Sequence, residues 1–218
     1  MATVTLADLK TRCRERADMV DSDFIEDSEL LSYINASYAE LYDILVSKFE
    51  DYYTLDPVGF TISSGNTYNL PADFYKLRGV DLSLNGRWIP VPKFNFQDRN
   101  RTNRTAYKQR YRIIGNKLHI SPTDNANGTY QLWYIPAYTL LSLDSDELDG
   151  VNGWEEYVVI DVAIKMLAKE ESSTTQLERE KDAMLRRITN MAENRDIDQP
   201  ETVTDTDRPD VDDIFWGN

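Results

Sequence analysis

The 218 residues predict an α+β chain: a discontinuous helical bundle with an inserted antiparallel β module and an extended C-terminal tail. Three observations lead there. Apolar residues recur at helical spacing near both ends of the chain. They alternate between turn signals in the middle. No period survives beyond Arg195. The expected boundaries are 1–54 and 139–194 for the bundle and 55–138 for the β module, with a long basic arm at 95–109 and an acidic tail at 195–218. Two helices, then strands, then two helices read as one bundle from which the strands project.

Thr5 is placed to cap a first helix, with Asp8 three residues on as its capping-box partner. That helix is expected from Leu6 to about Met19, with Leu6, Leu9, Cys13 and Ala17 on its apolar stripe. Cys13 therefore reads as a core residue. Asp27 or Ser28 caps a second helix running to about Phe49. Leu30, Leu31, Ile34, Tyr38, Leu41, Tyr42, Leu45 and Phe49 form its wide apolar face, opposite Glu29, Asn35, Glu40 and Asp43.

The period then changes. Val58, Phe60 and Ile62 alternate with small polar residues, Ser64-Gly65-Asn66 turns the chain, and Thr67 to Leu70 returns as a hairpin. Leu77 to Leu84 and Arg87 to Val91 flank Asn85-Gly86, a strong hairpin signal. Tyr111 to Ile114 and Lys117 to Ser121 flank Gly115-Asn116. Gly128 to Ile135 is a last strand, with Tyr130, Leu132 and Tyr134 on one face. Between these strands Asn95 to Gln109 is polar and aperiodic, and loops of that length inside a domain are functional or unstructured.

A linker is expected from Thr139 to Asn152. Gly153-Trp154 opens a third helix to about Glu171, apolar nearly all round, with Asp161 either partnered inside or facing a solvent gap. Thr174 or Thr175 caps a fourth, with Leu177, Met184, Leu185, Ile188 and Met191 on one stripe. The tail carries eight acids against Arg195 and Arg208, and ends in Ile214-Phe215-Trp216-Gly217-Asn218. An apolar triplet on an acidic arm reads as a docking peptide for another chain, against the alternative that it folds back on its own subunit.

The net charge of −14 disfavours a protein built to grip nucleic acid, and suits either solubility or a surface that DNA passes without sticking. One Cys and one His build neither an internal disulfide nor a Cys/His zinc site. No phosphate loop, GxSxG elbow or HExxH occurs, and His119 sits in a strand without a signalled nucleophile. Asp144 to Gly150 departs from calcium-loop spacing. The expectation is no enzyme, no metal and no cofactor. With no leader after Met1 and no spanning apolar run, the expected compartment is a cytosol, with no membrane contact. Arg99, Arg101, Arg104, Lys108 and Arg110 form an inter-subunit or DNA-facing arm, with Tyr107 and Tyr111 interleaved.

Several passages together resemble the head-to-tail adaptor subunits of tailed bacteriophages. They are Asp27-Ser28-Glu29-Leu30 with Ile34-Asn35 and Leu41-Tyr42-Asp43, then Asp51-Tyr52-Tyr53. Tyr68-Asn69-Leu70-Pro71-Ala72-Asp73-Phe74-Tyr75-Lys76-Leu77-Arg78-Gly79-Val80 follows, then Tyr111 to Asn116, Ile120-Ser121-Pro122 and Tyr134-Ile135-Pro136. The likeness runs to about Asn194.

The resemblance implies a structural subunit of a dodecameric ring beneath the portal. That ring would extend the DNA channel and give the tail or nozzle proteins their attachment platform. It implies a homo-oligomer bound to the portal protein, through which DNA passes without sequence-specific binding. It implies a place in the virion neck after assembly in the host cytoplasm. It also implies that a C-terminal segment reaches the portal, with Ile214, Phe215 and Trp216 as anchors by position and chemistry. The alternatives are another virion connector or tail-tube component, or a nucleic-acid-binding module using the basic arm.

Overall fold

The computed structural model describes residues 3–20, 24–98, 109–149 and 151–193. A short strand, β1 (Thr3–Thr5), leads straight into α1 (Leu6–Arg16). Thr5 caps that helix as its sequence predicts: its hydroxyl accepts the Asp8 N–H at 3.2 Å and donates to the Asp8 carboxylate at 2.8 Å. The helix stops three residues short of the expected Met19. Asp18 takes a left-handed φ of 56°, its N–H reaches the Glu15 carbonyl, and the Met19 N–H reaches the Arg14 carbonyl. This is a Schellman stop, with buried Met19 as its apolar contact.

The second helix, α2 (Asp27–Lys48), has Glu26 at its N-cap with no side-chain capping bond, so neither Asp27 nor Ser28 caps it. Asp27 instead accepts from Arg14 at 2.9 Å. Leu30, Ile34, Leu41, Tyr42 and Leu45 are buried as expected, and Val46 and Ser37 join them.

The middle of the chain forms two antiparallel sheets. The strands are β2 (Val58–Ile62), β3 (Thr67–Asn69), β4 (Phe74–Leu84), β5 (Arg87–Pro90), β6 (Arg110–Ile114), β7 (Lys117–Ser121) and β8 (Gly128–Pro136). One sheet runs β2-β8-β4-β5 and the other β3-β7-β6. The hairpins at Asn85-Gly86 and Gly115-Asn116 form as predicted, and φ is positive at both Asn85 and Gly86, as a type I′ turn requires.

The expected hairpin of Val58–Ile62 with Thr67–Leu70 does not form. Strand β2 pairs with β8, and β3 pairs with β7, so Ser64-Gly65-Asn66 carries the chain between sheets. A lone two-stranded ribbon would leave Phe60 and Ile62 wet. In the two-sheet arrangement Phe60 stacks on Tyr68 of the facing sheet (centroids 4.0 Å apart) and on Tyr130 (5.3 Å). Val80, Leu118, Ile120 and Leu132 complete this core.

Residues 139–152 are more than a linker. They contain β9 (Glu147–Asp149), which pairs with β1. Leu141 and Leu148 are buried. The Asn35 amide clamps the Leu141 peptide, accepting its N–H at 2.9 Å and donating to its carbonyl at 3.0 Å. Asn35 therefore does not lie on a solvent face, as its position in the α2 pattern had predicted.

Two further helices follow, α3 (Glu156–Lys169) and α4 (Thr175–Glu193). Tyr157 to Ala163 are buried without a break, so the all-round apolar helix is the centre of the bundle. On α4, Met184, Ile188 and Ala192 face the core, at successive four-residue steps. Met191, expected on that stripe, is 49% exposed, because the last turn presents Ala192 instead. The four helices share one apolar cluster and the two sheets share another, and Tyr42, Val46 and Ile135 join them. At that junction the Tyr42 hydroxyl donates to the Pro136 carbonyl at 2.6 Å, and its ring lies 4.5 Å from that of Tyr53.

Candidate functional site

The chemistry-bearing side chains gather first inside the bundle. Ser37 on α2 donates to Asp161 on α3 at 2.5 Å, Lys165 reaches the same carboxylate oxygen at 2.6 Å, and Lys181 on α4 reaches the other at 2.7 Å. Burial alone would raise the Asp161 carboxyl, but hydrogen bonds from Lys165, Lys181 and Ser37 outweigh it and hold it below the usual carboxylate range. Burial pulls Lys181 down, yet Asp161 and then Tyr157 leave it above the ordinary lysine value. A Lys165 ammonium 2.8 Å from the Ser37 hydroxyl has the look of an activated nucleophile. Ser37 is fully buried, so no substrate reaches it. This network joins three helices. Burial likewise pushes the Cys13 thiol up to about 12, away from thiolate chemistry.

The residues predicted for docking, Ile214, Phe215 and Trp216, lie outside the described residues, as do Arg99, Arg101, Arg104 and Lys108 of the basic arm. Arg110 is placed: it is the exposed first residue of β6, in register with Ser121, and so belongs to a strand and not to an arm. The flanks of the arm are held. Lys93 bridges to Tyr111, Phe96–Asp98 forms a single helical turn, and the Gln109 amide donates to the Asn125 carbonyl at 3.0 Å.

What the structure does bring together is a face. Strand alternation buries Leu118 and Ile120, which turns Lys117, His119 and Ser121 outward on β7. The register sets Arg110 and Arg112 beside Ser121 and His119, and Thr67 and Asn69 beside His119 and Lys117. The outer face of the three-stranded sheet thus carries three cations and no acid. Arg112 is engaged locally, donating to the Phe94 carbonyl at 3.0 Å and lying over the Phe96 ring. Arg110 and Lys117 have no ion-pair partner among the described residues, and neither do Arg87 and Lys93.

Most helical cations behave differently, although Arg179, Arg186 and Arg187 of α4 also have no ion-pair partner among the described residues. Lys10, Arg12, Arg14, Arg16, Lys165, Lys169 and Lys181 all pair with carboxylates. Lys76 and Arg78 of β4 are likewise neutralised, by Glu50 and Asp51 at the junction. Sequence reasoning named a basic segment, whose Arg99 to Lys108 lie outside the described residues, and missed the sheet face beside it. The signal was present in segment charge: residues 55–138 hold 11 Lys and Arg against 5 Asp and Glu, a net of +6, and the remainder holds 13 against 33, a net of −20.

A second exposed feature is the β4–β5 hairpin. Strand β5 is an edge strand exposed at every residue, and Leu84, Trp88 and Ile89 are each 44–50% exposed. Such an edge is a ready surface for another chain. Among the described residues no group of His, Cys, Asp and Glu is arranged to hold a metal ion, and no helix is long and apolar enough to cross a membrane.

A family model described as SU10 adaptor protein matches residues 4–208. No curated protein matches the chain.

Proposed function

The chain belongs to the SU10 adaptor protein family, a phage head-to-tail adaptor family, and from that premise we propose that its copies close into a dodecameric ring beneath the portal. Its role as a structural head-to-tail adaptor, a component of the virion neck between portal and tail proteins, follows from the family. The ring extends the DNA channel and is the platform on which tail or nozzle proteins sit. The observation that carries this reading is the extent of the match, which takes in all four helices and both sheets.

A ring of identical subunits needs one patch to meet a different patch, with a rotation that closes. The split between a +6 β module and a −20 remainder supplies two unlike surfaces. The overall charge of −14 suits a channel through which DNA slides without sequence-specific contact. Ile214, Phe215 and Trp216 are the portal anchors in this reading, and Arg99, Arg101, Arg104 and Lys108 reach a neighbouring subunit or the DNA.

Mass photometry of portal rings mixed with the protein tests it, using the full chain and a chain ending at Arg208. The full chain is expected to add a ring's worth of mass, and the shortened chain none. If neither adds mass, the portal-binding ring is wrong. If both add it equally, Phe215 and Trp216 are not the anchors.

A further inference from the structure

We propose that the outer face of the three-stranded sheet docks the acidic C-terminal segment, Asp196 to Asp213, of a neighbouring copy of this chain. The proposal deepens the ring reading above, and it names one contact by which adjacent subunits hold each other.

Charge is the first reason. Arg110 and Lys117 stand on an acid-free face without an ion-pair partner among the described residues, while every Lys and Arg of α1 and α3 has a carboxylate. The segment after Arg195 holds eight Asp and Glu against Arg208 alone. Every copy thus carries both a cationic sheet face and a strongly acidic segment of complementary charge.

Spacing is the second. Asp196 and Asp198, Asp205 and Asp207, and Asp210 and Asp212 are each two residues apart. In an extended chain, residues two apart point to the same side. Arg110 and Arg112 have that same spacing on β6. An extended acidic segment laid across the sheet therefore presents carboxylates at the same two-residue spacing as these guanidiniums, and Arg110 is free to take one of them bidentately.

Reach is the third. Residues 195–218 can span at most about 80 Å when extended, enough to cross a subunit boundary. They start from α4, whose last buried residues pack in the helical cluster, whereas the cluster beneath the three-stranded sheet holds no helix residue. The sheet and the end of α4 thus belong to different cores, and in a ring a neighbour's sheet lies within the segment's reach.

The test is fluorescence anisotropy with a labelled peptide of residues 195–218. The host is the full chain in which Asp205, Asp207, Asp210, Asp212 and Asp213 are changed to Asn, so that its own segment competes weakly. The peptide is expected to bind, and to bind less tightly as salt rises. Arg110→Glu with Lys117→Glu in that host should weaken binding about tenfold or more, while Arg186→Glu on exposed α4 leaves it unchanged. Circular dichroism checks that each variant is folded. No binding, or binding indifferent to the sheet reversal, overturns the proposal. So does preferential binding of duplex DNA to the same face.

Carbodiimide treatment of mixed ordinary and 15N-labelled full chains, at a concentration well above the low-micromolar range so that copies meet without portal, then assigns the host. Mixed-isotope peptides joining Lys117 to the acidic segment are expected. Same-isotope links alone would overturn the neighbour assignment. Neither experiment uses portal, so failure here leaves the ring reading standing on its own test.

Discussion

Asp161 shows how much one residue can carry. Its side chain is 6% exposed and accepts from Ser37, Lys165 and Lys181, which belong to three different helices. Removing one partner of a buried ionic cluster leaves the others desolvated, at a cost of about 3–5 kcal/mol when burial is complete. Here the lysine side chains keep 33% and 24% of their exposure, so Asp161→Ala should cost about 2–4 kcal/mol in urea unfolding. The pH dependence has a definite sign. A carboxyl held lower in the folded than in the unfolded chain adds stability that is complete above the unfolded value, near 3.9, and fades as pH falls through the folded one. The stability gap between the protein and Asp161→Asn should therefore be widest near neutrality and close on acidification below about pH 4. A gap that stays constant across that range would mean that the charge of Asp161 contributes nothing. In the sequence Asp161 was legible as a polar residue in an apolar helix that needed a partner. Ser37 was not, because its partner lies 124 residues away and nothing in its own helix marks it.

Local signals specified the elements well where one peptide segment suffices. Thr5 with Asp8, Asn85-Gly86 and Gly115-Asn116 each encode a cap or a turn within four residues, and each forms. Pairing between distant strands was illegible. Nothing in Val58–Ile62 distinguishes Thr67–Asn69 from Gly128–Pro136 as its partner, and the choice is made by which arrangement buries Phe60. The short β1–β9 pair was missed for the same reason, since three residues carry no period. The loop before β9 nevertheless holds the two halves of the bundle together, through the Asn35 clamp on the Leu141 peptide. Asn35→Ala leaves a backbone N–H and C=O without those partners, and should destabilise the chain by about 1–3 kcal/mol. Hydrogen exchange offers a sharper readout: the Leu141 amide should lose protection in the variant more than amides in α3 do. Equal loss everywhere would mean that the clamp acts only through global stability.

At the scale of the whole molecule, total charge conceals the arrangement that matters. The figure of −14 describes a chain whose residues 55–138 are +6, so copies repel at a distance, and under the proposal above attraction requires a sheet face to meet an acidic surface. Screening confines both effects to about 8 Å at physiological salt, which leaves association dependent on close, correctly oriented encounters. The exposed apolar residues of the β4–β5 hairpin, Leu84, Trp88 and Ile89, are too few to drive such encounters alone. The purified protein is therefore expected to sediment as a monomer at low micromolar concentration and to form a ring only on portal, where copies are held side by side and the local concentration of each acidic segment rises steeply. Sedimentation velocity across a concentration series, with and without portal, decides this. A stable ring in the protein alone would mean that subunit contacts outweigh the −14 repulsion without a template. The adaptor role would survive that result, and portal-nucleated assembly would not.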